Sequence, residues 1–221
     1  MPAPIPEALA AHDTLAVAKA EQIRTSPFRY LLSSALAGAF VGFAVVLLLS
    51  TSAPLLAAGS PFAKLVQGAV FGLALTLVVF AGAELFTGNN MVMLQARFRG
   101  TVGTGDLAAV WGASLVGNFV GSIALAALVH AGGLTTGPIG EALAGIAAGK
   151  DGLTGGQLFV RATLCNALVC LAIWMATRAA SDAAKLLCLW WALLAFVASG
   201  FEHSVANMTT LSLAALAGSA E

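Results

Sequence analysis

The most informative stretch of the chain is Ser199-Gly-Phe-Glu-His-Ser-Val-Ala-Asn-Met208, which places an acid and an imidazole side by side in a strongly apolar region. No charged residue occurs from Leu186 to Gly200, and residues 208–218 are mostly Leu, Ala and Thr. Insertion scales assign about 2.5–3.5 kcal/mol to an Asp, Lys or Arg at the centre of a membrane helix, so such groups normally face a bundle interior or a water-filled cavity. The neighbours Ser204 and Asn207 indicate a helix that is interrupted at membrane depth and lines a functional cavity.

The composition is typical of a polytopic helical membrane protein. Of 221 residues, 59% are hydrophobic and 9% are charged, whereas about 25% of the residues of a soluble domain are charged. Three cysteines, Cys165, Cys170 and Cys188, lie within apolar runs, and the sequence has no Cys/His cluster with metal-ligand spacing and no nucleophile–base pair. We therefore predict that the protein is not an enzyme and has no cofactor, no metal and no nucleic-acid partner.

The apolar runs predict an all-α integral membrane protein with a separate N-terminal segment. Residues 1–29 are polar and Ala-rich, and we expect either an amphipathic helix on the membrane surface or a solvated tail, with Leu9, Leu15, Val17 and Ile23 on one side of such a helix. Residues 30–221 form the predicted transmembrane channel domain. Its predicted spans are Tyr30–Ser50, Leu65–Ala83, Leu107–His130, Leu158–Ala176 and a fifth that begins near Leu186, with polar connections at 51–63 and 131–158.

An internal repeat relates the two halves of this domain, residues 30–130 and 158–221. Glu84-Leu-Phe-Thr-Gly-Asn-Asn-Met91 resembles Glu202-His-Ser-Val-Ala-Asn-Met208 with a one-residue gap, and each stretch interrupts the second span of its half. Paired interrupted helices in inverted repeats are a sequence signature of a transport site near the bilayer midplane. We expect Glu84 to bind backbone amides that the interruption frees. The second half has two spans where the first has three, so a sixth helix is apparently missing from this chain.

The distribution of basic residues predicts the orientation in the membrane. The N-terminal segment and the 95–106 and 178–185 loops hold seven Lys and Arg residues, against three on the other side. This excess favours a cytoplasmic N-terminus. The seven are Lys19, Arg24, Arg29, Arg97, Arg99, Arg178 and Lys185, and the three are Lys64, Lys150 and Arg161.

Three motifs resemble signatures of the formate/nitrite transporter family, and of its bacterial nitrite channel branch in particular. They are Ala83-Glu-Leu-Phe-Thr-Gly-Asn89, Leu164-Cys-Asn-Ala-Leu-Val-Cys-Leu-Ala-Ile-Trp-Met175 and Ala195-Phe-Val-Ala-Ser-Gly-Phe-Glu-His-Ser-Val-Ala-Asn-Met208. The resemblance implies a homopentamer in the bacterial inner membrane, in which each protomer has an aquaporin-like bundle of six helices around its own pore. It also implies passage of small weak-acid anions, most of all nitrite but also formate or hydrosulfide, with protons and membrane lipid as further partners.

The resemblance also implies roles for individual residues. His203 matches the family's central pore histidine, Glu202 the acid before it, and Thr87 the threonine whose hydroxyl faces the imidazole. Asn166 and Asn207 match polar residues around that histidine, and Lys150 matches a vestibule lysine. The apolar residues that match constrictions on either side of the histidine are Phe71, Leu75, Leu85, Phe86 and Phe196.

These residue types suit proton-linked passage of a weak acid. A bare anion in an apolar constriction carries a Born cost on the order of tens of kcal/mol, whereas a weak acid that takes up a proton crosses as a neutral molecule. The unperturbed pKa of histidine, near ~6.5, makes His203 a candidate proton relay, and a hydrogen-bond donor to an acid that is already protonated is the equal alternative. Two other functions stay open. One is an aquaporin-like pore for neutral solutes, although the expected Asn-Pro-Ala pair is missing, and the other is a truncated subunit that does not transport.

Overall fold

The computed structural model describes residues 1–218, which contain ten α-helices and no strand and so confirm the predicted all-α class. Residues 219–221, the end of the predicted channel domain, lie outside the described residues. The helices are α1 Ile5–Thr25, α2 Pro27–Ala57, α3 Ala63–Phe71, α4 Leu73–Ala81, α5 Phe86–Phe98, α6 Thr104–Ala131, α7 Pro138–Asp151, α8 Gly155–Arg178, α9 Asp182–Ala198 and α10 Ser204–Leu216.

Four segments of the structure are long and apolar enough to cross a membrane. They are Pro27–Ala57, Ala63–Ala81, Thr104–Ala131 and Gly155–Arg178. The first continues through residues 51–57, so the predicted loop at 51–63 is in part helical. The predicted fifth span is two shorter helices, α9 and α10, because residues 199–203 between them are not helical.

The first helices of the two halves run in opposite directions. Near its start, α2 donates a hydrogen bond from Tyr30 to Glu84, and near its end Leu49 lines a cavity with Lys150 of α7. In contrast, α8 begins beside that cavity and ends where Thr177 lies 3.0 Å from His12 of α1. The bundle therefore has two sides: the α1 side, where Tyr30 and Thr177 lie, and the α7 side, where the cavity with Lys150 lies.

The N-terminal helix α1 packs on the bundle through a face of small and polar residues. Leu15 and Val17 are 45% and 43% exposed, whereas the buried positions are Ala8, His12, Ala16 and Ala20. Nδ1 of His12 lies 2.7 Å from Oε1 of Gln95 in α5. Ala16 on this face packs in an apolar cluster with Val92, Met93 and Ala96 of α5, and Ile23 is partly buried against the same cluster.

The seam between α2 and α6 is built from glycines. A Cβ at Gly121 would lie 1.8 Å from the carbonyl oxygen of Ala35, and a Cβ at Gly38 would lie 2.0 Å from the carbonyl oxygen of Asn118. Small residues at such positions let membrane helices approach closely. The close approach carries the Asn118 side chain to the first interruption of the chain.

Both predicted interruptions are present, and both are shorter than predicted. In the first half residues 82–85 are non-helical, Gly82 has a φ of 77°, and α5 begins at Phe86. Residues 86–90, which the sequence also assigned to the interruption, belong to the first turns of α5. An additional interruption at Gly72 divides the second span into α3 and α4.

The predicted polar connection at 131–158 contains a helix. Helix α7 begins at Pro138, where proline is favoured because its ring fixes φ and its missing N–H has no partner to lose. Its contacts are with α2 and α10. This packing carries Lys150, in the last turn of α7, toward the second interruption.

Candidate functional site

The two interruptions meet at His203 and Thr87. His203 is the N-cap of α10, and its Nδ1 accepts a hydrogen bond from the Ala206 backbone N–H at 3.1 Å. Its Nε2 lies 3.3 Å from Oγ1 of Thr87, in the first turn of α5. Because Nδ1 is an acceptor here, the proton of the neutral ring is assigned to Nε2, which can donate to Thr87 or to a bound molecule.

Aromatic rings surround the imidazole on the α7 side. The ring of Phe196 stacks on His203 with centroids 5.6 Å apart and planes inclined by 19°. The ring of Phe71 meets Phe196 edge to face at 5.9 Å and His203 at 6.4 Å. Both phenylalanines are at most 2% exposed, so the structure brings the predicted residues Phe71, Phe196 and His203 together in one apolar cluster.

A cavity of about 280 Å³ opens on the α7 side and has His203 in its wall. Lys150 donates a hydrogen bond to Oε2 of Glu202, and the amide of Asn207 donates to the same oxygen at 2.9 Å. Lys64 and Arg161 also line the cavity. Three cations and one carboxylate leave a formal charge of +2 (3 − 1 = 2) around the approach to His203.

A second cavity, of about 550 Å³, opens on the α1 side and is lined by Leu75 and Leu85. Lys19 of α1 forms an ion pair with Glu84 at 2.6 Å. The same carboxylate accepts hydrogen bonds from the Asn89 amide at 3.1 Å and the Tyr30 hydroxyl at 3.2 Å. Each side of the bundle therefore has a cavity in which a lysine and an asparagine bind the glutamate of one interruption.

The sequence did not predict Lys19 as a site residue, and the partners it predicted for Glu84 were wrong. The carboxylate of Glu84 binds side chains, not the freed backbone amides. One signal was available, since Glu84 and Asn89 have the same five-residue spacing as Glu202 and Asn207. That spacing predicts a matching pair, but it does not identify the lysine.

The backbone groups of the first interruption are bound by Asn118. Its Oδ1 accepts a hydrogen bond from the Phe86 N–H at 2.9 Å, and its Nδ2 donates to the carbonyl oxygens of Ser34 at 2.8 Å and Glu84 at 2.9 Å. Backbone groups away from water require such partners. Asn118 therefore fixes the start of α5, where Phe86 and Thr87 lie.

The structure places three predicted residues, Phe86, Thr87 and Asn166, away from both of these cavities. They line a third cavity, of about 350 Å³, together with His203, between α5 and α8. The amide of Asn166 donates to Sγ of Cys170 at 3.6 Å, and its Oδ1 is buried with no partner among the described residues. Phe86 of α5 and Asn166 of α8 thus contact the same cavity as His203.

Two interrupted helices that face each other across a polar centre, with apolar rings and charged cavities around it, define a helical membrane protein of the channel or transporter class. The chain belongs to the formate/nitrite transporter family, because the sequence profile of the family described as Formate/nitrite transporter matches residues 8–221. This match confirms the family that the three motifs indicated.

Named relatives and solved structures agree with this membership. The nitrite transporter NirC of Salmonella typhimurium is 44% identical over 189 residues, which are 85% of this chain and 69% of the relative. A probable formate transporter of Methanothermobacter thermautotrophicus is 40% identical over 199 residues, 81% of this chain and 72% of the relative. A solved FNT family ion channel superposes with a TM-score of 0.90 at 39% identity, covering 96% of this chain and 84% of that channel. A pentameric formate channel with formate bound gives a TM-score of 0.75 at 30% identity, covering 87% and 81%.

Proposed function

We propose that the chain forms a homopentameric channel of the bacterial inner membrane that passes nitrite, and formate or hydrosulfide less readily, as the neutral acid. The observation that carries this proposal is the position of His203, which lies in an apolar aromatic cluster next to a cavity of net positive charge. The relatives described as nitrite transporters at 43–44% identity support nitrite as the preferred anion. The solved pentameric formate channel supports the assembly and the formate alternative.

The α7-side cavity supplies the first step, which is attraction of the anion. Lys64 and Arg161 make no ion pair among the described residues, whereas Lys150 is paired with Glu202. An anion that approaches the apolar cluster loses water, and desolvation raises the proton affinity of a carboxylate or of nitrite. The anion therefore takes up a proton from the cavity water before it reaches Phe71 and Phe196.

His203 supplies the second step, a hydrogen bond to the neutral acid. Addition of a proton to Nδ1 would remove the hydrogen bond from Ala206, which caps α10. The geometry therefore favours a neutral imidazole that donates from Nε2, in competition with Thr87, over a ring that takes up and releases the proton. Leu75 and Leu85 complete the apolar passage toward the α1-side cavity.

The orientation follows from the basic residues. The α1 side holds most of the Lys and Arg residues and is assigned to the cytoplasm. The α1-side cavity contains Lys19, Lys185 and Glu84, a formal charge of +1 (2 − 1 = 1). Both mouths therefore attract anions, and the direction of net flux follows the concentration gradients of the anion and the proton.

Flux into proteoliposomes, measured by light scattering, tests the proposal. Nitrite and formate should enter quickly and faster at lower pH, whereas chloride and glycerol should enter slowly. Rapid glycerol entry would indicate a neutral-solute pore, and no flux through a folded pentamer would overturn the channel assignment.

The His203→Asn variant separates the two roles of the histidine. If His203 only donates a hydrogen bond, His203→Asn lowers nitrite flux by a similar factor at each pH, so the shape of the pH profile is kept. If nitrite flux through His203→Asn no longer depends on pH, His203 acts as a proton relay in the unaltered protein. Ser212→Ala, further along α10 and outside the cavities at His203, is the matched control.

A further inference from the structure

Helices α3 and α9 pack against each other through two glycines that lie one helical turn apart. A Cβ at Gly68 would lie 2.8 Å from the Leu194 carbonyl oxygen, and a Cβ at Gly72 would lie 2.5 Å from Cδ1 of Trp190. The Gly-x-x-x-Gly spacing is typical of membrane helices in close contact. At Gly68 the two backbones are in direct contact, and at Gly72 the indole of Trp190 fills the space between them, so a shift of α9 moves α3 with it.

Trp190 adds a directional contact to this seam. Its Nε1–H donates a hydrogen bond to the Ala69 carbonyl oxygen at 2.7 Å. Ala69 lies in the last turn of α3, just before the interruption at Gly72, and carbonyls at the end of a helix require partners from outside that helix. The indole thus spans the interruption, with its N–H on Ala69 and its Cδ1 edge against Gly72.

The same two helices carry the aromatic pair beside His203. Phe71 is the last residue of α3, two positions after Ala69, and Phe196 lies in the last turns of α9. Their ring centroids are 5.9 Å apart. The relative position of α3 and α9 at the interruption therefore determines the width of the apolar cluster on the α7 side.

We propose that Trp190 is a positioning residue for selectivity: its hydrogen bond to the Ala69 carbonyl holds α3 against α9, which keeps Phe71 and Phe196 close enough to exclude ions and hydrated solutes. This inference rests on the proposed function, because it assigns the Phe71–Phe196 pair to the conduction path. Trp190 itself does not line the cavities at His203. Its effect on conduction is exerted through α3.

The Trp190→Phe variant removes the N–H and keeps an aromatic ring. We expect the ratio of chloride flux to nitrite flux in proteoliposomes to rise roughly fivefold, the shift that corresponds to one lost hydrogen bond. Trp191→Phe is the matched control, because Trp191 is the next residue of α9 and is 59% exposed. The flux ratio reports on selectivity and does not change with the amount of folded protein.

A second measurement does not depend on conduction. The Phe71–Phe196 centroid distance, determined by cryo-electron microscopy of both variants, should increase in Trp190→Phe and stay at 5.9 Å in Trp191→Phe. An unchanged distance and flux ratio in Trp190→Phe would overturn the inference. If the unaltered protein passes neither nitrite nor formate, the proposed function fails, and the distance measurement still decides whether Trp190 positions Phe71.

An isosteric replacement covers the case in which Trp190→Phe does not assemble. Incorporation of 3-benzothienylalanine at position 190 keeps the two-ring shape and replaces the N–H with sulfur. We expect this protein to have a longer Phe71–Phe196 centroid distance and a higher ratio of chloride flux to nitrite flux than the unaltered protein. If this protein keeps the chloride-to-nitrite flux ratio of the unaltered protein, the hydrogen bond of Trp190 is not the cause of the selectivity.

Discussion

Asn118→Ala is the sharpest test of how the first interruption is held. Asn118 is fully buried and makes three hydrogen bonds to backbone groups, at 2.8, 2.9 and 2.9 Å. Alanine at this position leaves the Phe86 N–H and the carbonyl oxygens of Ser34 and Glu84 without these partners. The loss should destabilise the fold around the start of α5 first.

The magnitude follows from the number of bonds. A hydrogen bond contributes about 1 kcal/mol net in proteins generally, and about 0.6 kcal/mol on average between membrane helices. Three bonds therefore correspond to about 2–3 kcal/mol, which is roughly a 30- to 140-fold change in the unfolding equilibrium. The lower figure applies if water reaches the freed groups in the folded variant.

The measurement is reversible unfolding in mixed detergent micelles, with Ser122→Ala as the matched control. Ser122 lies one turn further along α6, is equally buried, and makes a single long hydrogen bond of 3.4 Å to the Gly38 carbonyl oxygen. We expect Ser122→Ala to cost less than about 1 kcal/mol. If Asn118→Ala and Ser122→Ala lower the free energy of unfolding equally, Asn118 does not hold the interruption.

Other substitutions test the glycine seam, the α1-side ion pair and the histidine contact. Gly121→Ala should prevent assembly of the proposed pentamer in size-exclusion chromatography, because its Cβ would lie 1.8 Å from a backbone oxygen, whereas Gly112→Ala, with nothing within 4 Å, should assemble normally. Lys19→Met should cost about 3 kcal/mol in detergent unfolding by leaving Glu84 unpaired, and adding Glu84→Gln should restore most of that loss; equal costs for the single and double variants would refute the pairing. Thr87→Val should raise nitrite flux, because Thr87 competes with the substrate for the Nε2–H of His203, and should lower the free energy of unfolding by about 1 kcal/mol, because one buried hydrogen bond is lost; a lower flux would refute the competition.

The sequence predicted the interruptions because polar residues in apolar runs are rare and expensive. Glu84, Glu202 and His203 stand out by chemistry alone, and their neighbours repeat with a common spacing. The residues that complete the site do not stand out in this way. Lys19 belongs to a polar segment, and its contact with Glu84 depends on how α1 docks under α5, which no local pattern encodes.

The sequence predicted the apolar face of α1 but not the face that packs on the bundle. Periodicity identifies where the large apolar residues of a helix lie, and at a membrane surface such a face contacts lipid instead of the protein core. Helix α1 packs on α5 through Ala16, in a cluster with Val92 and Met93, and the ring nitrogens of His12 lie within hydrogen-bond distance of Gln95 and Thr177. Its leucine and valine side chains are left partly exposed.

The two halves of the channel share a repeat of polar residues but differ in how each interruption is held. On the α1 side, Asn118 of α6 binds the backbone at the interruption directly. On the α7 side, His203 caps its own helix, and the aromatic pair beside it depends on the α3–α9 seam at Trp190. The shared residues are a glutamate and an asparagine in each half, and the glutamate binds the lysine of the cavity at each mouth. The supporting residues, Asn118 and Trp190, do not repeat, because the helices that pack against each interruption differ between the halves. A substitution in a shared residue should therefore affect anion entry, and one in a supporting residue should affect what the apolar passage excludes.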